Sequence, residues 1–249
     1  MRGWFLLLKS IIRESRLESW VIPGVLYANV GMFVLSLLIH PLKTGLSLNP
    51  LTFLSPDNGS LILMGATGVI PIHRFGRWWT LISANYLHGS VLHIFFNMMA
   101  FRQIAPVILN LYGGSRMIII YTLSGMAGFW LSYIARIPLT IGASAALCGL
   151  MGAALYYGKS RGGMYGQAVF QQMKSWILGI VIFGLVVPGI NNWGHGGGLI
   201  CGVVCAALLG YREKSEENRL HRLVAGVIVL ATAGILIRAV AVGFYMRFR

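Results

Sequence analysis

The chain has 249 residues, 57% of them hydrophobic and 10% charged, with 20 lysines and arginines against six acids and a formal net charge of +14. A soluble domain of this length carries about 25% charged residues, and here the apolar residues come in long runs with a mean hydropathy of +0.74. A soluble core is therefore excluded, and a helical integral membrane protein is expected, because only helices and closed barrels satisfy the backbone in lipid.

The first segment, MRGWFLLLKSIIRESRLESW, has a short apolar stretch broken by charge and no small-residue cleavage site after it. It reads as an amphipathic interfacial helix rather than a removed signal peptide. A spanning helix needs roughly 20 apolar residues, fewer where it lies inside a bundle. Seven spans are expected, near Val21–His40, Val91–Leu111, Met117–Ala135, Ala143–Gly158, Ser175–Val187, His195–Tyr211 and Leu223–Met246. The fourth, fifth and sixth are short, which suggests a site sunk below the surface. Between the first two spans lies Pro41–Ser90, with Pro50, Pro56 and Pro71 inside it, an Asp57–Gly59 turn and the pair Trp78 and Trp79. A connection this long is usually functional or disordered, and its tryptophans argue for a structured loop at the membrane interface.

One domain without internal repeats is expected: an interfacial segment over 1–20, a six-helix core over 21–211 that includes the loop 41–90, and a linker with a seventh helix over 212–249. One set of loops holds Arg2, Lys9, Arg13, Arg16, Arg116, Lys159, Arg161, Lys174, Arg212, Lys214, Arg219 and Arg222, twelve in all. The other holds six: Lys43, Arg74, Arg77, Arg136, Arg247 and Arg249. By the positive-inside rule the N-terminus is cytoplasmic and the long loop outside. Placed in short loops, the basic residues point to anionic lipid and exclude nucleic acid as the partner. Arg238 falls inside the last span, where snorkelling to the outer face is the simplest reading.

All six acids (Glu14, Glu18, Asp57, Glu213, Glu216, Glu217) lie outside the expected spans. A cation-coupled transporter commonly keeps an intramembrane carboxylate, and a Ser-His-Asp triad needs an acid beside the histidine, so both are disfavoured. Cys148, Cys201 and Cys205 sit in apolar segments without metal spacing and read as small core residues. No metal or cofactor is expected.

Polar residues at membrane depth are expensive and default to functional hypotheses. Ser144 stands alone in IGASAALCGLMGA, where it is either a helix filler or a nucleophile. His93 and Asn97, four apart, share one helix face, and His195 opens the sixth span. The alternative for each is an interhelical hydrogen bond worth roughly 0.6 kcal/mol. All four fall near the outer side, which favours a site. Gly194, Gly198, Gly202, Ala206 and Gly210 recur every four residues, as do Ala145, Gly149 and Ala153. Such ridges let membrane helices approach closely and would bring the Ser144 hydroxyl to the His195 ring.

These residues carry a family resemblance. GASAALCGLMGA resembles the GxSx segment of the rhomboid intramembrane serine proteases, NNWGHGGGLICG their HxxGxxxG helix, and RWWTLISANYLHGSVLHIFFNMM their first loop and HxxxN helix, with His88 upstream. The match runs from about Arg77 to Gly210. It implies an all-α, polytopic fold with a six-helix core plus a seventh C-terminal transmembrane helix. It also implies a Ser144–His195 dyad and an oxyanion site made by the Ser144 N–H, His93 and Asn97. Gly142, Gly198, Gly202, His88 and Cys148 would support it, and the fifth helix with its VPGINNW loop would form a gate. Three departures stand out. Ala145 replaces the usual glycine and its methyl is expected to crowd the sixth helix, Cys148 replaces a frequent aromatic, and the acid common near the end of the second helix is missing.

The leading expectation is an enzyme that cuts single-span transmembrane proteins near their outer boundary, in a prokaryotic cell membrane. A non-catalytic binder of transmembrane helices comes second, and a channel or transporter third. The sequence sets no oligomeric state.

Overall fold

The computed structural model describes residues 20–46, 49 and 52–248. The expected interfacial helix before Trp20 lies outside them. The helices in chain order are α1 Val21–Ile39, α2 Asn58–Leu63, α3 Thr80–Ser83, α4 Val91–Tyr112, α5 Gly114–Ile134, α6 Ser144–Arg161, α7 Gly163–Val186, α8 Asn192–Leu209 and α9 Arg219–Arg247. Two short strands, β1 Gly45–Leu46 and β2 Phe53–Ser55, pair antiparallel in the first loop. The fold is the expected all-α, polytopic one.

Among the described residues, six helices (α1, α4, α5, α7, α8 and α9) are long and apolar enough to cross a membrane. The fourth expected span, α6, is less apolar and is not among them. It tolerates its composition because neighbours enclose it: every residue from Ala145 to Ala154 is buried. α7 differs from expectation. It runs 24 residues rather than a short stretch, since Gln167, Gln171, Gln172 and Lys174 are polar but good helix formers.

α6 sits at the centre, against α8 and α5. The contact with α8 is made by glycine. A Cβ on Gly198 would fall 2.0 Å from the Ala145 carbonyl oxygen, and one on Gly202 would fall 1.9 Å from that of Gly149. α5 joins the same junction, where a Cβ on Gly128 would lie 2.4 Å from the Gly194 carbonyl oxygen.

The described part of the first loop is structured, as expected, and lies at one end of the bundle, here termed the loop end. His40 at the close of α1 bonds through Nδ1 to Asp57 Oδ2 at 3.2 Å and to Ser60 Oγ at 3.0 Å. Burial opposes ionisation of Asp57, but hydrogen bonds from the Ser60 hydroxyl and the Gly59 and Ser60 amides outweigh it and hold the carboxyl below its usual range. α9 grips this loop. The Arg238 guanidinium lies over the Trp79 ring, 5.1 Å from its centroid, in a cation–π contact. Trp79 in turn leaves no room for a Cβ on Gly65, whose φ is +99°.

At the opposite end, termed the linker end, the segment between α8 and α9 is latched to the core. Glu217 Oε1 accepts from the Arg116 amide at 2.9 Å, and the fully buried Arg116 side chain donates to Ser215 Oγ and the Glu216 carbonyl. Glu213 pairs with Arg161 at 2.8 Å. The cysteines are free.

Gly202→Ala is expected to lower unfolding free energy by about 1–3 kcal/mol, the range for forcing atoms into a packed interior. Thermal unfolding in detergent measures it.

Candidate active site

The site forms where α6 and α8 both begin at the loop end. Ser144 is the first residue of α6, and His195 lies in the first turn of α8. The glycine junction sets their separation: Ser144 Oγ and His195 Nε2 are 2.9 Å apart, within the reach a nucleophile and its base require. Both are half-buried. His195 Nδ1 is buried, and among the described residues it has no hydrogen-bond partner, carboxylate or otherwise.

Each residue is held from behind. Gly142 has φ +117°, and its N–H donates to the Ala84 carbonyl of the first loop at 2.9 Å. A Cβ there would also fall 2.8 Å from His93 Nε2, so both backbone and space require glycine. Thr67 and Thr140 bond reciprocally and tie the first loop to the segment that leads into Ser144. Asn191 caps α8: its Oδ1 accepts from Gly194 N at 3.0 Å, while its Nδ2 donates to Ser132 Oγ at 2.7 Å and Thr140 Oγ1 at 2.9 Å. One side chain thus anchors the first turn of α8 to α5 and to the loop before Ser144. The sequence reading passed over Asn191. Its signal was an asparagine just ahead of an apolar helix, the N-cap preference.

His93 stands on the other side. Its Nδ1 accepts from Gly89 N at 3.2 Å, which leaves Nε2 to carry the proton and point it toward the Gly142–Ser144 turn. His88, fully buried, meets the His93 ring edge-on with centroids 5.0 Å apart. Asn97 Nδ2 donates to the His93 carbonyl at 2.8 Å, within its own helix. A side-chain amide carries two hydrogens, and one of Asn97's is used there.

The departures also resolve in space. The Ala145 methyl lies toward α5 rather than α8, since a Cβ on Gly128 would meet it at 2.8 Å. Glycine at 128 makes the room that alanine at 145 takes. Cys148, one turn along α6 from Ser144, is buried and shares with His195 the wall of an apolar cavity of about 200 Å³ that reaches α7. At the top of that cavity the Asn192 amide donates to the Gly184 carbonyl at 2.8 Å and ties α7 to α8. No group of three or more metal-ligating side chains occurs among the described residues.

Fold and site define a multi-pass helical membrane protein with a serine–histidine pair on two interlocked spans. The Rhomboid domain family model matches residues 75–212, more than half of the chain, and the chain belongs to the rhomboid family, a family of intramembrane serine proteases. It is 32% identical over 179 residues to Rhomboid protease GluP of Bacillus subtilis (strain 168), covering 72% of this chain and 35% of that protein. It is 30% identical over 208 residues to RHOMBOID-like protein 4 of Arabidopsis thaliana, with 76% and 52% covered. RHOMBOID-like protein 7 of the same plant is 31% identical over 236 residues, with 87% and 74% covered. The chain spans about a third of the length of the first of these and about half of the second.

Asn191→Ala is expected to cost about 0.5–2 kcal/mol of stability, the worth of an N-cap. Asn191→Asp, which keeps the cap oxygen but loses the donors to Ser132 and Thr140, separates the cap from the cross-links. Thermal unfolding of both variants in detergent measures the difference.

Proposed function

We propose that this chain is an intramembrane serine protease working with a Ser144–His195 dyad. The observation that carries the reading is the 2.9 Å contact between Ser144 Oγ and His195 Nε2, with no carboxylate behind the histidine among the described residues. Family membership supports the same chemistry.

Ser144 Oγ attacks the carbonyl carbon of a peptide bond as its proton passes to His195 Nε2. The bond to the leaving amine breaks, and His195 returns the proton to that nitrogen. Water then attacks the acyl-enzyme, again with His195 as base, and frees Ser144. The negative charge on the carbonyl oxygen is met by the Ser144 backbone N–H, which begins a helix and so carries a favourable partial charge. His93 Nε2–H faces the same turn, and the second amide hydrogen of Asn97 completes the donors once a substrate draws it. Gly142, Gly198 and Gly202 bring backbone close, His88 orients His93, and Cys148 borders His195.

The substrates are single-span transmembrane proteins cut near the loop end of the bundle, with entry past α7. The charge pattern of the loops makes that the outer face and the N-terminus cytoplasmic, in a prokaryotic cell membrane. The alternative is a rhomboid-like protein that binds transmembrane helices without cutting them. The turned-back Asn97 amide is the observation in its favour.

A fluorophosphonate probe is expected to label the purified protein in detergent and to spare Ser144→Ala and His195→Ala. Loss of either dyad member lowers the cleavage rate of a helical test substrate by roughly 10⁴–10⁶-fold. A substrate that binds yet stays intact, with no labelling of the native protein, establishes the helix-binding alternative instead.

His93→Ala is expected to reduce kcat by roughly 10²–10³-fold, the worth of one oxyanion donor, with smaller change in KM. Steady-state cleavage assays give both constants.

A further inference from the structure

A cleft between α1, α5 and α9 opens at the linker end, on the face opposite the Ser144–His195 pair. It consists of two adjoining cavities of about 550 and 240 Å³, which share Trp20, Val21, Ile118 and Val229 as common wall. Together they reach the size of ligand clefts, roughly 300–1,000 Å³. The outer cavity has a polar mouth, with Ser115 at the start of α5 and Arg222 at the start of α9. Glu217 is the acid there, and its carboxylate already accepts from the Arg116 amide. The inner cavity is apolar and ends at Tyr86 and Leu236.

The dimensions are those of one lipid leaflet. Along α9 the cleft runs from Arg222 to Leu236, fourteen residues, or about 21 Å at 1.5 Å per residue. Half of a bilayer, headgroups included, is about 20–22 Å deep. A polypeptide at that depth has to be helical to satisfy its backbone, and a helix about 10 Å across does not fit the inner 240 Å³. A single acyl chain does. The two helices that flank the cleft present large apolar side chains outward, Tyr27 and Val30 on α1 and Leu230 and Ile237 on α9, so the space is bordered by surfaces that face membrane.

We infer that this cleft binds one membrane phospholipid with an anionic headgroup, its phosphate at Arg222 and one acyl chain reaching Tyr86. The site exists only because α9 packs beside α1 and α5, so it belongs to the six-plus-one form of the fold. Its deep end touches the turn Ala84–Tyr86, whose Ala84 carbonyl holds the Gly142 amide. An occupied cleft therefore braces the loop on which the Ser144 turn rests.

The test uses the full chain in mixed micelles with a phosphatidylglycerol or a phosphatidylcholine that carries a diazirine on one acyl chain, with adducts mapped by mass spectrometry. Adducts are expected to concentrate on Tyr86, Tyr121 and the Val229–Leu236 stretch. Ala28→Trp and Ala233→Trp, which fill the cleft from opposite walls, each remove them. Arg222→Gln, at the surface and harmless to packing, lowers the preference for the anionic lipid by about fivefold, the worth of one basic side chain near an anionic headgroup. Adducts spread evenly over membrane-facing positions such as Leu185 and Ile200, and indifferent to both tryptophans, would overturn the site. Cross-links from residues 2–16 to Tyr121 without lipid adducts would overturn it too, because the occupant would then be the chain itself.

Discussion

Everything at the loop end depends on how closely α6 and α8 approach. In lipid there is no hydrophobic drive to push two apolar helices together, so contact rests on van der Waals fit and on interhelical hydrogen bonds. Gly198 and Gly202 allow that fit by presenting no side chain to the carbonyl oxygens of Ala145 and Gly149. Ser144 lies one residue before Ala145, and His195 three residues before Gly198. Any outward step of α8 by the width of a methyl group is transmitted directly to the distance between Oγ and Nε2. The Ser144–His195 contact is thus a by-product of backbone packing, and its geometry is as rigid as that packing.

Close packing fixes distance but not rotation or height, which the loops supply. Irregular backbone at membrane depth is tolerated only where protein buries it and satisfies its polar groups. The approach to Ser144 meets that demand through Thr140 paired with Thr67 and Gly142 N bonded to Ala84 O. Asn191 closes the arrangement from the α8 side by bonding both Ser132 and Thr140. The same polar contacts that make the loop permissible in a membrane are those that aim the serine. Arg238 extends the bracing to α9, since Trp79 packs under its guanidinium and immediately precedes α3, which leads to Ala84.

What was readable in the sequence follows from which features are local. Ser144, His195, His93 and the four-residue glycine spacing are properties of single helices, and periodicity exposes them. The closeness of α6 and α8 was readable because both ridges of small residues lie in plain sequence. The α5 contribution was not: Gly125 and Gly128 look like ordinary span residues until Asn85 and Ala145 are seen against them. Asn191 was missed because its partners are more than fifty residues away. The length of α7 was underestimated because hydropathy ends where glutamines begin, although helix does not. The direction of the Ala145 methyl and the turn of the Asn97 amide are rotations about single bonds or helix axes, which spacing does not encode.

Among the described residues no carboxylate stands beside His195, and the same packing accounts for that. An ionised acid beside His195 would have to be carried to membrane depth, at a cost of several kcal/mol unless paired and hydrogen-bonded. In a triad the acid orients the imidazole and stabilises its charged form. Here orientation is supplied by other means. His195 sits in the first turn of a helix whose cap is cross-linked to two other segments, and Gly194 and Gly198 on either side of it pack against α5 and α6. What the fold leaves unsupplied is charge stabilisation at Nδ1, which stands buried without a partner among the described residues. In the proposed mechanism the N–H groups of Ser144 and His93 would therefore carry a larger part of the barrier than in a triad. Reliance on donors rather than on an acid is the arrangement a low-dielectric site favours, because neutral N–H groups cost far less to bury than a carboxylate and gain as much from the absence of water.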